Sequence, residues 1–172
     1  NQNPYSECDV ASLLNEGGHL ARRRTGGGAV YHDLGNLNFS FIADKKIYDV
    51  KKQMQVIQKA LLNFNLETEV SGRNDITYQG RKFSGNAFAK TKYQGLHHGT
   101  ILIKTDGERL QKYLKVKPAK LHKHGVKSVA SRVINLSEVA EITSENIIPH
   151  LIKAFEEVYQ GTATIINFND LC

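Results

Sequence analysis

Tryptophan is absent, methionine occurs once, cysteine twice and proline three times in a chain of 172 residues. Each shortage removes a class of reading. Cys8 and Cys172 stand near opposite ends without a Cys-x-x-Cys partner, which argues against a disulfide scaffold and a zinc site and leaves two reduced thiols. With so little proline and no Ser/Gly-rich linker, repeat or low-complexity tract, no internal boundary is visible, and a single domain over residues 1–172 is expected. The amphipathic stretches are too polar to span a bilayer, and Asn1-Gln2-Asn3-Pro4-Tyr5 lacks the apolar run of a signal peptide, so a soluble cytoplasmic protein without a membrane partner is expected.

Basic residues outnumber acidic ones, giving a formal net charge of +6, but Lys and Arg are dispersed and no DNA- or RNA-binding signature emerges. Nucleic acid is therefore not the expected partner. An anionic small molecule and an acidic protein partner account for the charge equally well.

What the chain does have is Arg22-Arg23-Arg24-Thr25-Gly26-Gly27-Gly28-Ala29-Val30-Tyr31-His32-Asp33-Leu34-Gly35-Asn36. Glycines lack Cβ atoms, so their N–H groups can approach phosphate oxygens at φ/ψ values other residues avoid, and arginines beside them supply planar forks for phosphate or carboxylate. This is an anion-binding composition. The spacing is neither that of a P-loop nor that of a Rossmann turn.

Residues 19–24 and 29–32 read as short strands flanking the glycine turn, and strand alternation would point Arg23 away from Arg22 and Arg24. Leu37 to Ile42 alternates with strand period. Ile47, Val50, Met54, Ile57, Leu61 and Leu62 recur at helical spacing, predicting a helix over 46–65 with one buried stripe. Strands are predicted over 66–70, 76–78, 82–90 and 96–104, with a Gln79-Gly80 turn. Asp106 can cap a helix reaching about Leu114, and Thr143 or Ser144 one running to Tyr159 with Gly161 at its end. Pro149 predicts a kink there or a later start. Strands and helices without strict βαβ alternation indicate an α+β fold with mixed β-sheets packed by helices.

The glycine-rich run resembles the lipoate–protein ligase signature, in which paired arginines precede Ser/Thr-Gly-Gly-Gly, an apolar pair and His-Asp-x-Gly-Asn. The similarity continues in the family's order through Ser71-Gly72-Arg73-Asn74-Asp75, Gly80-Arg81-Lys82-Phe83-Ser84-Gly85-Asn86-Ala87, Leu96-His97-His98-Gly99-Thr100 and 128–136. The resemblance implies the biotin/lipoate ligase catalytic fold. It also implies a core fragment, without the family's N-terminal strand and helix and its C-terminal accessory domain.

By that resemblance the expected activity is ATP-dependent conversion of lipoate to lipoyl-adenylate, followed by transfer to a lysine of an acceptor. ATP, Mg2+ and lipoate are the implied ligands. Lipoyl domains of 2-oxoacid dehydrogenase complexes and the glycine-cleavage H protein are the implied acceptors. Lys82 matches the family's catalytic lysine, and an ammonium there would relieve repulsion between the attacking carboxylate and the α-phosphate. Arg23 is implied to contact phosphate and acyl adenylate. Gly28, Ala29, Val30 and Tyr31 are implied to bind nucleotide through the main chain, and His32 to donate to phosphate or to hold the loop. Thr25 reads as a donor to the lipoate carboxylate or as a turn residue. Asn74 is implied to read adenine. Asp75 is either a magnesium ligand or a turn carboxylate.

Asp33 reads as orienting the loop. His97 and His98 face opposite ways on a strand, which favours structural or substrate-lining roles over a zinc pair with His122 and His124. Val30, Phe39, Phe83 and Phe88 are candidates for an apolar acyl tunnel. The basic stretch 115–127 resembles the family's adenylate-binding loop. Ala89 departs from family members that carry arginine nearby. An octanoyl or lipoyl transferase of the same fold working without ATP, for which Cys8 is the internal nucleophile candidate, and a non-catalytic lipoate-binding module are the competing readings; biotin ligase is a weaker one.

Overall fold

The computed structural model describes residues 3–72, 74–115 and 132–167. Arg73, His122, His124, Cys172 and most of the 115–127 stretch therefore lie outside the described residues, as does the first part of the 128–136 match.

Two short N-terminal helices, α1 (Pro4–Glu7) and α2 (Val10–Asn15), start where Asn3 and Asp9 accept hydrogen bonds from the Tyr5 and Ser12 N–H groups. These side chains satisfy donors that a first helical turn leaves free. Strand β1 (Asn36–Asp44) follows, then helix α3 (Val50–Leu62), strands β2 (Glu69–Ser71), β3 (Asp75–Tyr78), β4 (Arg81–Lys90) and β5 (Gln94–Leu102), and helix α4 (Gly107–Tyr113). A 3₁₀ turn (Leu136–Glu138) precedes helix α5 (Ser144–Tyr159).

The strands form one sheet in the order β1-β5-β4-β3-β2, every ladder antiparallel. The α+β class is as expected, with parallel pairing among the described residues confined to the isolated Lys82–Val133 bridge. One sheet face carries Phe39, Phe41, Phe88, His97 and Ile101 and packs on α3 and α5, giving a core with Met54, Ile57, Leu61 and Ile147. Phe41 stacks on Phe155 of α5 at 6.5 Å between ring centroids. Helices thus cover one face, and the alternate residues of each strand point to the other.

Several boundaries differ from the periodicity. Helix α3 starts at Val50 because Asp49 caps the N–H groups of Lys51 and Lys52, leaving Ile47 68% exposed, and Leu62 also faces solvent. Gln53 and Val56 take the buried places instead. Helix α5 begins at Ser144 behind a Thr143–Asn146 capping box and runs through Pro149 without a break. Pro149 is exposed, so the Glu145 carbonyl that loses its i+4 donor lies on the solvent side. Residues 19–24 and 29–32 are not strands, since no described segment offers them a ladder. The Gln79–Gly80 hairpin turn is present, with positive φ at both positions (49° and 74°). Among the described residues no helix is long and apolar enough to cross a membrane.

Candidate active site

A register shift in the sheet decides where the central lysine points. Ile76 pairs with Ser84 but Thr77 pairs with Lys82, so Phe83 is an extra residue on β4. Phe83 and Ser84 are both fully buried, breaking the alternation. Such a bulge turns the preceding side chain to the opposite face. Lys82 consequently shares the helix-free face with Gly85 and Asp75, and its Nζ lies 2.7 Å from Asp75 Oδ1. Its backbone is held on the far side by the segment after residue 131: Lys82 N–H donates to Arg132 O (2.6 Å) and Lys82 O accepts from Ile134 N–H (3.0 Å). Arg81 adds two hydrogen bonds from its guanidinium to Val133 O.

The Lys82 ammonium is the partner the structure gives Asp75 Oδ1. Asn74, beside it, donates through Nδ2 to Asn86 O (2.9 Å), while Asn86 donates back to Asn74 O through both its backbone N–H and its side-chain amide. Behind Asn86 sits His97, fully buried, with Nε2 2.8 Å from Asn86 Oδ1 and Nδ1 3.1 Å from Gln53 of α3. Burial, and secondarily the neighbouring His98, lowers the His97 pKa to about 4, so it is neutral near pH 7.

The glycine loop closes on itself through Arg23, whose guanidinium donates to Gly26 O (2.9 Å) and Gly28 O (2.7 Å). Of the three consecutive arginines Arg23 is the partly buried one, through this curl and not through strand alternation. Gly27 has φ +106°, and a Cβ there would sit 2.8 Å from the Arg23 guanidinium. Glu7, which sequence reasoning passed over, places Oε2 3.4 Å from the Ala29 N–H. A cavity of about 200 Å³ lies behind the loop, bounded by α1, Leu20, Arg23 and Gly26 to Ala29; Lys82 is not in its wall.

Thr25 ties the loop to the sheet. It is buried, and its hydroxyl lies 2.5 Å from His98 Nε2. His98 stands on the helix-free face between Ser40 and Ala87, two residues from Thr100, which accepts from the Gly85 N–H. The loop's anchor and Lys82's neighbour are thus alternate residues of one strand, about 7 Å apart along it. Desolvation first, then Arg23 and His32, lowers the His98 pKa.

His32 Nδ1 lies 3.2 Å from Asn36 Nδ2, and its pKa is lowered by desolvation and then by Arg23, against an opposing pull from Asp33. Asp33 accepts from Gly35 N–H and Asp106 N–H, joining the loop to the cap of α4. Tyr31 packs on Tyr113, and Val30 is half exposed.

Three of the candidate tunnel residues do not share the face of Lys82. Phe83 is fully buried in the core, and Phe39 and Phe88 pack against His97 on the helix-covered face. Their alternation with polar neighbours put them on the apolar side of the sheet, which is the side that helices cover. Further along the same face as Lys82 stand Ala87, Ala89, Leu96 and Ile42.

The lipoyl protein ligase A/B catalytic domain family matches residues 1–156. The chain belongs to that family. It is 46% identical over 170 residues to a lipoate-protein ligase A of Bdellovibrio bacteriovorus, covering 96% of this chain and 50% of the relative. The chain thus spans about half the length of that curated relative. Among solved structures, Plasmodium falciparum LipL1 in complex with lipoate aligns with TM-score 0.81 at 42% identity, over 97% of this chain and 47% of that one. A lipoate-protein ligase A bound with ATP aligns with TM-score 0.84 at 28% identity, over 99% and 71%. The bipartite ligase of Thermoplasma acidophilum, solved in a study that includes its E2 lipoyl domain, gives TM-score 0.84 at 30% identity, over 99% and 70%.

Proposed function

We propose that this chain is the single-domain catalytic core of a cytoplasmic lipoate–protein ligase. The observation that carries the reading is the shared face: the bulge at Phe83 turns Lys82 towards Asp75 and Gly85, and the Thr25–His98 bond brings the glycine loop to the same side of the sheet. In the proposed reaction a lipoate carboxylate oxygen attacks the α-phosphorus of ATP, the bond to the β-phosphate oxygen breaks, and pyrophosphate leaves. A lysine amine of an acceptor lipoyl domain then attacks the acyl carbon, forming the amide, releasing AMP and losing a proton.

Lys82 supplies a fixed cation where carboxylate and phosphoryl oxygens converge, and Arg23 with the Gly28 to Tyr31 main chain supplies phosphate donors. His32 adds a neutral donor at the loop's end. Asn74, with Nδ2 committed to Asn86, presents its carbonyl oxygen to the adenine amino group. The acyl chain lies over Ala87, Ala89 and Leu96, where small side chains leave room on the sheet. Thr25 acts on lipoate through His98, to which its hydroxyl is bonded.

Magnesium takes carboxylate and phosphate oxygens and retains water. Among the described residues no cluster of three or more His, Cys, Asp or Glu side chains could hold the ion, so Asp75 would be its one carboxylate ligand, exchanging its Lys82 partner for the metal, with the substrate's own phosphates completing the set. Bound there, the ion would neutralise charge on the departing pyrophosphate.

Cys8 lines the cavity behind the glycine loop, but its thiol is 6% exposed and its pKa is raised, first by burial and then by Glu7, which makes it a poor nucleophile. Lipoate-dependent exchange of labelled pyrophosphate into ATP tests the proposal. Exchange that needs lipoate is expected; its absence with ATP, Mg2+ and lipoate at saturation would overturn the ligase reading.

A further inference from the structure

The glycine loop and the sheet face assigned to the acyl chain meet through the partly buried Thr25–His98 hydrogen bond, which sits between the two proposed ligand-binding places. Thr25 is 8% exposed, whereas Arg24, Gly26, Gly27 and Gly28 around it face solvent. Its hydroxyl therefore fixes a largely exposed loop to the interior strand β5. The partner, His98, is not a passive anchor. Its ring stands beside Ala87, opposite it on β4, and two residues from Leu96, both part of the apolar paving. An acyl chain laid across that paving presses on the imidazole, orders it and shields its bond to Thr25 from competing water. In the other direction, an anion held by the loop amides and Arg23 stabilises residues 25–28 in the arrangement in which Thr25 already meets His98, and so favours that bond over water.

We propose that the Thr25–His98 hydrogen bond couples the phosphate cradle to the acyl bed, so that lipoate and nucleotide each tighten the binding of the other. Thr25 is then a positioning residue acting through His98. The inference rests on the ligase reading given above. Coupling of this kind is reciprocal by thermodynamic necessity, and its size is the ratio of a ligand's dissociation constants with and without its partner. That ratio is taken within one protein, so it is insensitive to any general weakening a substitution brings.

The test is titration calorimetry of lipoate binding to the full chain, alone and with saturating α,β-methylene ATP, which cannot release pyrophosphate. In the unmodified protein the analogue should tighten lipoate about tenfold. Thr25→Val, which keeps the shape and removes the hydroxyl, should bring the ratio close to one, and Thr25→Ser should restore it. If the valine variant does not fold, Thr25→Ala with the same serine control serves. A ratio near one in the unmodified protein, or full coupling in Thr25→Val, would overturn the proposal while leaving the ligase reading intact. Failure of the unmodified protein to bind either ligand would instead remove both.

Discussion

Lys82 Nζ and Asp75 Oδ1 form a 2.7 Å ion pair between groups each more than one third exposed. A pair so open to solvent contributes little to stability. Its residues are therefore open to substitution without loss of the fold, and the effect should fall on chemistry. Lys82→Ala is expected to lower lipoate-dependent pyrophosphate exchange by about 10²–10³-fold or more, as for loss of a donor aimed at developing charge. Its urea midpoint should stay close to that of the parent. A variant that exchanges at the parent rate would remove Lys82 from the mechanism.

Gly85 faces Lys82 across the bulge, and a Cβ built on it would lie 3.0 Å from both Lys82 Cε and Nζ. The obstacle is the mobile end of a long side chain, so Gly85→Ala should fold normally and push the ammonium aside. Displacement of about 1 Å at a reacting centre costs on the order of 10²-fold in rate. Steady-state kinetics should show a lower kcat with a melting temperature at or above that of the parent; an unchanged kcat would mean that Lys82 tolerates the shift.

That bulge marks the limit of what periodicity reveals. Alternation in Leu37 to Ile42 and helical spacing from Val50 to Leu61 follow from burying one side of each element, so both were legible in the residues. The Asp106 and Thr143 caps were legible too, because a capping side chain answers a local need. The extra residue at Phe83 is set by pairing with β3, a partner seven residues away in the chain at Ile76, and no local pattern announces it. The glycine loop's motif identified the residues but not their geometry, for its flanks are held by Arg23, Thr25 and Asp33 and not by a ladder. The surroundings of the candidate tunnel aromatics were hidden for a related reason: spacing shows that Phe39 and Phe41 share a face, and only the assembled sheet shows that α3 and α5 cover it.

Arg23 donates its guanidinium to Gly26 O and Gly28 O, which fixes the loop that the proposed function assigns to phosphate. Arg23→Ala should remove both the staple and a phosphate contact. Hydrogen bonds involving a charged group are worth about 1.5–3 kcal/mol, so ATP affinity measured by calorimetry should fall roughly 10- to 100-fold. Gly27→Ala should have a related effect by another route. A side chain at φ +106° is strained by about 1–3 kcal/mol and meets the same guanidinium. Unaltered ATP binding in both variants would show that the loop does not form the cradle.

His97 gives a pH signature that is independent of catalysis. Its pKa is near 4 in the folded protein, against an ordinary value of 6.5 that applies when unfolded. Between those values the unfolded chain takes up a proton that the folded protein does not, so stability is fully present above pH 6.5 and falls as the pH drops towards 4. From pH 7.5 to 5 the loss attributable to this one imidazole is about 2 kcal/mol. His98 and His32, also lowered, add to it with the same sign. Urea unfolding at the two pH values measures the slope, and His97→Gln, which can still bridge Asn86 and Gln53, should flatten much of it. A slope unchanged by that substitution would mean that His97 is not the buried neutral group its surroundings of Phe39, Phe41 and Phe88 make it.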